Sequence, residues 1–393
     1  MGYSPKTLTA TRQADTDTVL RDSFQEYLLS RRVLLFVDDK VFFRCQMSEQ
    51  CESCFDNPKP SRGHTCSTVL PQLMEMSNPN DDFAKLLGYY TQCGMTNVQD
   101  ALRALAGLMR RFRLKMGNAI FQGLPTSHFT DFLAFNGENL RRRSGMPSYS
   151  WAGWIGRVYV GVKSKRASNW IVWYGREPSG SVYLICDPAA DISDSLSHSV
   201  DDGSSLDGRF SHSDDSSSDS RDRNSSPAGQ PTSFHSMFAS YTSSPTLKTA
   251  PSDTFSISDS KIPNYPLLQF WTLACYYQIQ NIDMFLPKGS LVGREGQFCG
   301  TVWLDGFEEA SVFHSVGATY EVILMSKSFH LWPNNDDDGD DIMGPGRRGD
   351  CFEIMLLGWQ DGVAQRLGIG SLLRRAITQG FAPGPVWKEI VLG

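Results

Sequence analysis

The sequence lacks the long apolar run and the basic charge that would indicate a membrane protein or a nucleic-acid-binding protein. Its apolar runs, such as Val33-Leu-Leu-Phe-Val37, have the length of a strand, far below the roughly 20 residues of a membrane-spanning helix. The segment Met1–Asp22 is polar and contains no apolar stretch typical of a secretory signal. The formal net charge is -6. We therefore expect a cytoplasmic protein whose partner is neither a membrane nor a nucleic acid.

Recognised catalytic motifs are also absent. The chain has no Gly-x-Ser-x-Gly elbow and no His-Glu-x-x-His pattern, and three of its seven histidines (His198, His212 and His235) lie in a serine-rich stretch. Nine cysteines, an odd number, without a secretory signal indicate reduced thiols rather than a disulfide framework. We therefore predict a protein that is not an enzyme, with no catalytic residues and no cofactor.

Two further stretches only partly match ligand-binding motifs. Gly368-Ile-Gly370 resembles the start of a phosphate-binding turn, but Leu373 stands where the third glycine of that motif would be. We interpret it as a turn between a strand and a helix from Ser371 to about Gln379. The acidic run Asp336–Asp341 lacks the ligand spacing of a calcium loop and is interpreted as a solvated loop.

Composition divides the chain into two folded blocks. From Asp191 to about Ser260 roughly a third of the residues are serine, and large apolar residues are sparse. Such a segment cannot bury enough apolar surface to offset its ordering entropy, so we predict that it is disordered. The predicted organisation is a disordered N-terminus (1–18), a short helix and hairpin (19–50), an irregular loop (51–80), a helical and then β part (81–190), the Ser/Asp-rich insertion (191–261) and a β-rich completion (262–393).

The periodicity changes along the chain from helical to alternating. Helical spacing predicts helices over Asp81–Cys93, from a cap at Asn97 to a stop at Gly117, and over Thr126–Phe135. Alternation from Trp154 onwards predicts strands, and the strands of both blocks are expected to share one sheet. The predicted fold class is α+β: N-terminal helices and a hairpin, Arg32–Cys45, followed by a mostly antiparallel sheet.

The stretch MPSYSWAGWIGRVYVGV, residues 146–162, places two tryptophans three residues apart, directly after Arg141-Arg142-Arg143. Exposed tryptophans beside basic residues are typical of a stacking platform for a ligand or nucleic acid. The following segment, however, alternates like a half-buried strand, and each buried indole removes on the order of 200 Å² from water. We therefore predict a core plug, with Arg141–Arg143 as a solvated loop.

One group of residues has the composition of a metal site. Cys51, Cys54, His64 and Cys66 together offer the four sulfur and nitrogen ligands that a tetrahedral zinc ion takes. The spacing between them is not a common one for zinc sites. The alternative is a set of free thiols on a variable loop, and we predict that alternative and therefore no metal.

Several stretches together resemble the fungal heterokaryon-incompatibility family. The most specific is Ser-Trp-Ala-Gly-Trp, residues 150–154; the others are residues 24–32, 100–107, 123–125, 147–156, 268–271, 362–370 and 385–393. Taken in order, these stretches mark out a region of about three-quarters of the chain, residues 24–393 without the insertion 191–261. The Leu-Ser-Tyr-Val-Trp-Gly-like and Cys-Ile-Asn-Gln-like blocks of that family's N-terminal domain are not found. The chain therefore resembles the C-terminal portion of such a protein, with residues 19–50 as the tail of the N-terminal domain.

This resemblance implies a non-enzymatic module that senses a partner or regulates non-self recognition and cell death in fungi. The implied partner is a protein, such as a full-length paralogue, and we expect an exposed apolar patch within Phe24–Phe43. Two alternatives remain open. The first is a degenerate NAD-cleaving enzyme, because the family's N-terminal domain is similar to Toll/interleukin-receptor domains, some of which cleave NAD. Glu26 is the acid within the part that resembles this domain, and we interpret it as a helix-surface residue. The second alternative is a truncated gene product without a function of its own.

Overall fold

The computed structural model describes residues 24–37, 40–45, 49–51, 75–93, 98–162, 168–188, 238, 241, 248–252, 263–282, 287–306, 318–328 and 351–393. The predicted N-terminal segment 1–18, most of the loop 51–80, the acidic run Asp336–Asp341 and most of the Ser/Asp-rich insertion lie outside these residues.

Four α-helices lie in the described part of the first block: α1 Phe24–Leu29, α2 Pro79–Tyr90, α3 Ala106–Met116 and α4 Phe129–Leu133. Gly117 ends α3 as predicted, because its φ of 70° is one that glycine adopts without strain and its N–H donates to Arg113 O. The start of α3 differs from the prediction. Residues Val98–Asp100 form a 3₁₀ turn instead, and Asn97 lies outside the described residues. The predicted third helix is a 3₁₀ turn, Thr126–His128, followed by α4.

The strands among the described residues form one large sheet and three small ones. Their bounds are β1 Arg32–Val37, β2 Lys40–Cys45, β3 Glu49–Cys51, β4 Ile120–Phe121, β5 Leu124–Pro125, β6 Asn136–Arg142, β7 Trp154–Tyr159, β8 Ser168–Asn169, β9 Trp173–Arg176, β10 Val182–Cys186, β11 Leu267–Gln280, β12 Lys288–Val292, β13 Phe298–Leu304, β14 Thr319–Ser328, β15 Cys351–Gln360, β16 Val363–Leu373 and β17 Val386–Leu392. The small sheets are β1-β2-β3, β4-β5 and β6-β7.

The large sheet closes on itself through antiparallel pairs. The ring order is β11-β12-β13-β16-β15-β14, and β14 pairs again with β11. Strand β11 is long enough to take part twice: its first half pairs with β17 and β9, and its second half with β14 and β12. Because β9 comes from the first block and β11 from the second, the prediction of one shared sheet is confirmed. The α+β fold class with a mostly antiparallel sheet is also confirmed.

Strand β16 corrects the interpretation of Gly368-Ile-Gly370. Both glycines lie inside β16, which continues to Leu373 and is followed by a 3₁₀ turn, Arg374–Gln379, rather than an α-helix. A Cβ atom at Gly368 or Gly370 would collide with backbone carbonyl oxygens of β13. The glycines therefore allow β16 to approach β13 closely, which is a packing role common for glycine inside strands.

One hydrophobic core joins the helices to the closed sheet. Phe83 of α2 packs against Phe112 of α3 and Phe132 of α4, with ring centroids 5.2 and 5.8 Å apart. On the sheet side, Trp173 packs against Phe270 at 4.4 Å. No helix in the described part of the chain combines the length and apolar composition that a membrane crossing needs.

The C-terminal end of the predicted insertion needs correction. Phe238 is fully buried and packs edge-on against Trp170, with ring centroids 5.0 Å apart. Further along, the carbonyl oxygens of Lys248 and Ala250 accept hydrogen bonds from the indoles of Trp387 and Trp271, each at 2.9 Å. These contacts correct the prediction of disorder at residue 238 and at residues 248–252, because a sparse aromatic residue in a polar segment can still pack into the core.

Candidate functional site

The Ser-Tyr-Ser-Trp-Ala-Gly-Trp stretch, residues 148–154, lies at the junction between the helices and the closed sheet. Its two indoles are held by backbone carbonyls: Trp151 Nε1 donates to Gly123 O at 2.9 Å and Trp154 Nε1 donates to Ser148 O at 2.8 Å. Tyr149 Oη donates to Pro266 O at 2.5 Å, and Ser150 Oγ donates to Gln122 O at 2.6 Å. Every polar side chain of the stretch therefore has a partner, as buried polar groups require.

Burial decides between a stacking platform and a core plug. Trp151 is 1% exposed and Trp154 is 2% exposed, so neither indole has a face open to a ligand. The edge of Trp151 packs against Tyr90 of α2 at 5.8 Å. In β7, Trp154 and Val158 are buried whereas Arg157 is exposed, as the alternation predicted. The prediction of a core plug is confirmed.

Beside this plug lies a buried ion pair between β16 and the residue that follows β13. Arg366 Nε and Nη2 donate to the two carboxylate oxygens of Asp305, both at 2.8 Å. Nη1 donates to Leu133 O at 2.7 Å, Nη2 also donates to Phe135 O, and the guanidinium lies 3.5 Å from the centre of the Phe135 ring. The pair thus satisfies its hydrogen bonds inside the core and ties the end of α4 to the sheet.

Ser148 extends this connection to the plug. Its Oγ accepts the backbone N–H of Arg366 at 2.9 Å and donates to Gly393 O. Sequence reasoning did not identify Asp305, Arg366 or Ser148 as a unit. No local pattern contains them, because Arg366 and Ser148 are 218 residues apart and meet only through the fold.

A cleft of about 420 Å³ opens at the surface next to the ion pair. We call it the arginine cleft. One wall is the end of β6 with the residues after it, and the opposite wall is the β15–β16 hairpin. The lining residues are Arg142, Arg143, Ser144, Tyr265, Gly358, Trp359, Gln360, Gln365, Arg366 and Leu367. Its volume is in the range of small-molecule sites.

The three consecutive arginines have different environments, which corrects their interpretation as a solvated loop. Arg141 is exposed and Arg142 is half-buried within β6, while Arg143 is only 5% exposed. Arg142 Nη1 donates to the carbonyls of Arg143 and Gly153, and Nη2 donates to Met146 O. Pairing of β6 with β7 places these residues in the fold, and this pairing was not predicted because β6 is mostly polar.

Arg143 differs from its neighbours because its side chain is buried and forms no ion pair with a carboxylate of the described residues. Nε and Nη1 are buried and have no hydrogen-bond partner among the described residues. Burial lowers the pKa of Arg143, and Tyr90 nearby partly offsets this effect. On another wall of the arginine cleft, burial raises the pKa of Tyr265, and Arg142 opposes the shift through its charge and a hydrogen bond.

The apolar patch expected within Phe24–Phe43 is found on the hairpin β1–β2. Leu34 and Phe36 are 58% and 71% exposed. They lie directly opposite Phe43 and Val41, so the four side chains share one face, the outer hairpin face. Phe24 and Leu28 of α1 are buried in the core, and Phe24 packs 5.4 Å from Tyr90. Glu26 lies within α1.

The zinc candidate falls almost entirely outside the described residues. Only the backbone of Cys51 is described, in β3, whereas Cys54, His64 and Cys66 are not. The described residues contain no group of three or more His, Cys, Asp or Glu side chains placed to hold a metal ion. Among the cysteines in the same ranges, Cys275, Cys299 and Cys351 are buried.

Comparison with known proteins found no match: no protein-family model, no curated protein and no solved structure matches this chain.

Proposed function

We propose that this chain is a non-enzymatic, partner-sensing module of the heterokaryon-incompatibility type, acting in the cytoplasm in fungal non-self recognition and cell death. The resemblance of residues 147–156 and of the other stretches to that family supports the assignment. The proposed partner is a protein, a full-length paralogue from the same family, and neither a nucleic acid nor a membrane.

The observation that carries this proposal is the outer hairpin face. Leu34 and Phe36 project from β1, which follows α1 in the chain, and Phe24 and Leu28 of α1 are buried in the core. Large apolar side chains that are exposed together are typical of protein-binding surfaces. Aromatic residues such as Phe36 remove much apolar area from water when a partner covers them.

The edge of β1 offers a second means of recognition. Within the described strands β1 pairs only with β2, so its other edge has backbone N–H and C=O groups that a partner strand can bind. Arg31 and Arg32 are exposed at the start of β1 and favour an acidic residue in that partner strand. A family member is the proposed partner because residues 24–32 resemble the tail of the family's N-terminal domain. A full-length paralogue contains that whole domain and can therefore supply the part against which such a tail packs.

The test is binding of the purified chain to an immobilised full-length family member, measured by surface plasmon resonance. Replacing Phe36 by Glu places a charge in the apolar contact and should weaken binding tenfold or more. Leu114 on α3 is the matched control, since it is 73% exposed and lies on a different element. The Leu114→Glu variant should bind like the wild type.

Three outcomes would contradict the proposal. One is a wild-type chain that elutes as a monomer, binds no apolar dye and does not bind the immobilised protein. The second is equal weakening by Phe36→Glu and Leu114→Glu, which would indicate a general effect of charge. The third is release of nicotinamide when the purified chain is incubated with NAD, which would favour the enzyme alternative.

A further inference from the structure

One residue that lines the arginine cleft has a buried side chain that the packing of the chain does not explain. Arg143 lines the cleft and is 5% exposed, yet Nε and Nη1 of its guanidinium have no hydrogen-bond partner among the described residues. No described carboxylate forms an ion pair with it. The nearby Tyr90 hydroxyl donates its proton to Ala101 O at 2.7 Å. Leaving a cation in this state is unfavourable, because buried charge needs a counter-charge and hydrogen bonds.

Arg366, which lines the same cleft, shows how this fold stabilises a guanidinium when its role is structural. All three of its side-chain nitrogens donate hydrogen bonds, and Asp305 supplies the negative charge. Arg142 likewise donates to three backbone carbonyls. Arg143 is thus the arginine of the cleft whose buried Nε and Nη1 lack hydrogen-bond partners within the described residues, which is a state that an external anion would relieve.

We propose that the arginine cleft binds a small molecule through an oxyanion group, a carboxylate or a phosphate, that pairs with the Arg143 guanidinium. The planar fork of an arginine matches both oxyanions, which is why the two share one chemistry. The site is independent of the outer hairpin face, which lies on a different sheet.

The other residues that line the cleft can contact the part of the ligand beyond its oxyanion group. Gln360 and Gln365 bring side-chain amides that can donate to or accept from polar groups. Trp359 is partly exposed and offers an apolar surface; Lys388 Nζ lies 4.4 Å from its ring, and its Nε1 donates to Glu321 Oε2 at 2.9 Å. A volume of about 420 Å³ accommodates a small organic molecule and is too small for a folded partner.

The experiment uses the full chain with inorganic phosphate or acetate as the probe and sodium chloride at matched ionic strength as the reference. Thermal unfolding and isothermal titration calorimetry are measured for wild type, Arg143→Met and Arg141→Met. At a tenfold excess over Kd, the bound anion should raise the wild-type Tm by about 3 °C over chloride. Arg143→Met should lose this shift and bind at least tenfold more weakly.

Arg141→Met is the matched control, because it removes the same charge from an exposed neighbouring position. Arg141→Met should keep the rise in Tm caused by the anion, which distinguishes binding at Arg143 from a general effect of salt. Arg143→Met should also have a Tm in chloride equal to or above that of the wild type, since it removes a buried charge without a partner. If Arg143 had a structural role instead, Arg143→Met would have a lower Tm in chloride than the wild type.

The choice of anion distinguishes the two ligand sources. A response to phosphate alone indicates a phosphate ester, a response to acetate alone indicates a carboxylate, and each supports the site if Arg143→Met abolishes it. No response of the wild type to either anion, or a response that Arg143→Met retains, would overturn the proposal. If Arg143→Met does not fold, Arg143→Lys replaces it: this variant keeps the charge but loses the fork, so unchanged anion affinity would equally count against the site.

Discussion

Asp305 and Arg366 form a bidentate ion pair in the core, with both N–H···O distances at 2.8 Å and both side chains almost completely inaccessible to solvent. The pair connects the residue after β13 to β16, and the guanidinium also donates to the carbonyl of Leu133 at the end of α4 and to that of Phe135 just after it. A buried pair of this kind stabilises the fold only as a complete unit, because either partner alone would be an uncompensated buried charge.

Replacing Asp305 by Asn tests this unit. The substitution keeps the shape but leaves the Arg366 charge without its counter-ion, so we expect a loss of about 3–5 kcal/mol in the free energy of unfolding. Urea unfolding followed by tryptophan fluorescence measures it. Glu295→Gln is the control, because Glu295 pairs with Arg294 at the surface and should contribute no more than about 1 kcal/mol. Equal losses in the two variants would show that the Asp305–Arg366 pair is not structurally important.

Two glycines with similar φ angles allow the stability cost of backbone strain to be measured apart from the cost of overpacking against the Trp151 indole. Gly123 has a φ of 82° and Gly180 a φ of 90°. A Cβ at Gly123 would lie 2.6 Å from Trp151 Nε1, whereas a Cβ at Gly180 meets no atom within 4 Å. Gly180→Ala should therefore cost about 1–2 kcal/mol from φ strain alone, and Gly123→Ala about 1–3 kcal/mol more from overpacking.

The measurement is thermal unfolding of both alanine variants beside the wild type. Near-ultraviolet circular dichroism should also change in Gly123→Ala, because the Trp151 indole must move to accept the new methyl group. If the two variants have the same Tm and unchanged aromatic spectra, a methyl group at residue 123 fits beside Trp151 without overpacking.

Local patterns were sufficient to predict part of this molecule. Alternation after Trp154 correctly assigned the tryptophans to the core, because a strand with one buried face has a period of two residues. The end of α3 at Gly117 was also predicted correctly, because glycine adopts a positive φ without strain. The exposed apolar patch in the first hairpin was expected from the resemblance instead, since Phe24–Phe43 resembles the tail of a domain whose other blocks are not found in the sequence.

The remaining features depend on contacts between distant residues. Asp305 and Arg366 are 61 residues apart and become neighbours only when β13 pairs with β16. The burial of Arg143 likewise requires the pairing of β6 with β7. In isolation, a run of three arginines resembles a solvated loop, so neither the ion pair nor the arginine cleft could be found from periodicity or spacing.

The zinc candidate stays a prediction that metal analysis can test. We expect purified protein, prepared without chelator, to contain well under one zinc per chain, because the spacing of Cys51, Cys54, His64 and Cys66 is not a common one for zinc. Inductively coupled plasma mass spectrometry measures the ratio. One zinc per chain in the wild type, lost in Cys54→Ser but kept in a variant of the buried Cys275, would establish the metal site instead.

Tyr149 should make the stability of the fold sensitive to alkaline pH. Burial, with smaller contributions from Tyr265, Tyr183 and Glu177, raises the pKa of Tyr149 well above its ordinary value. In the unfolded chain this hydroxyl loses its proton near pH 10, while in the folded protein it keeps the proton. Above about pH 10 the folded state therefore binds more protons than the unfolded state, so stability falls as the pH rises.

Replacing Tyr149 by Phe removes this titration and the hydrogen bond to Pro266 O. At pH 8 the variant should be about 1 kcal/mol less stable than the wild type, from the lost hydrogen bond. Between pH 10 and 11 its stability should fall less steeply, so the difference between the two proteins narrows as the pH increases. Urea unfolding at half-unit intervals measures both effects. A difference that stays constant or widens above pH 10 would mean that the Tyr149 hydroxyl ionises in the folded protein at its ordinary pKa.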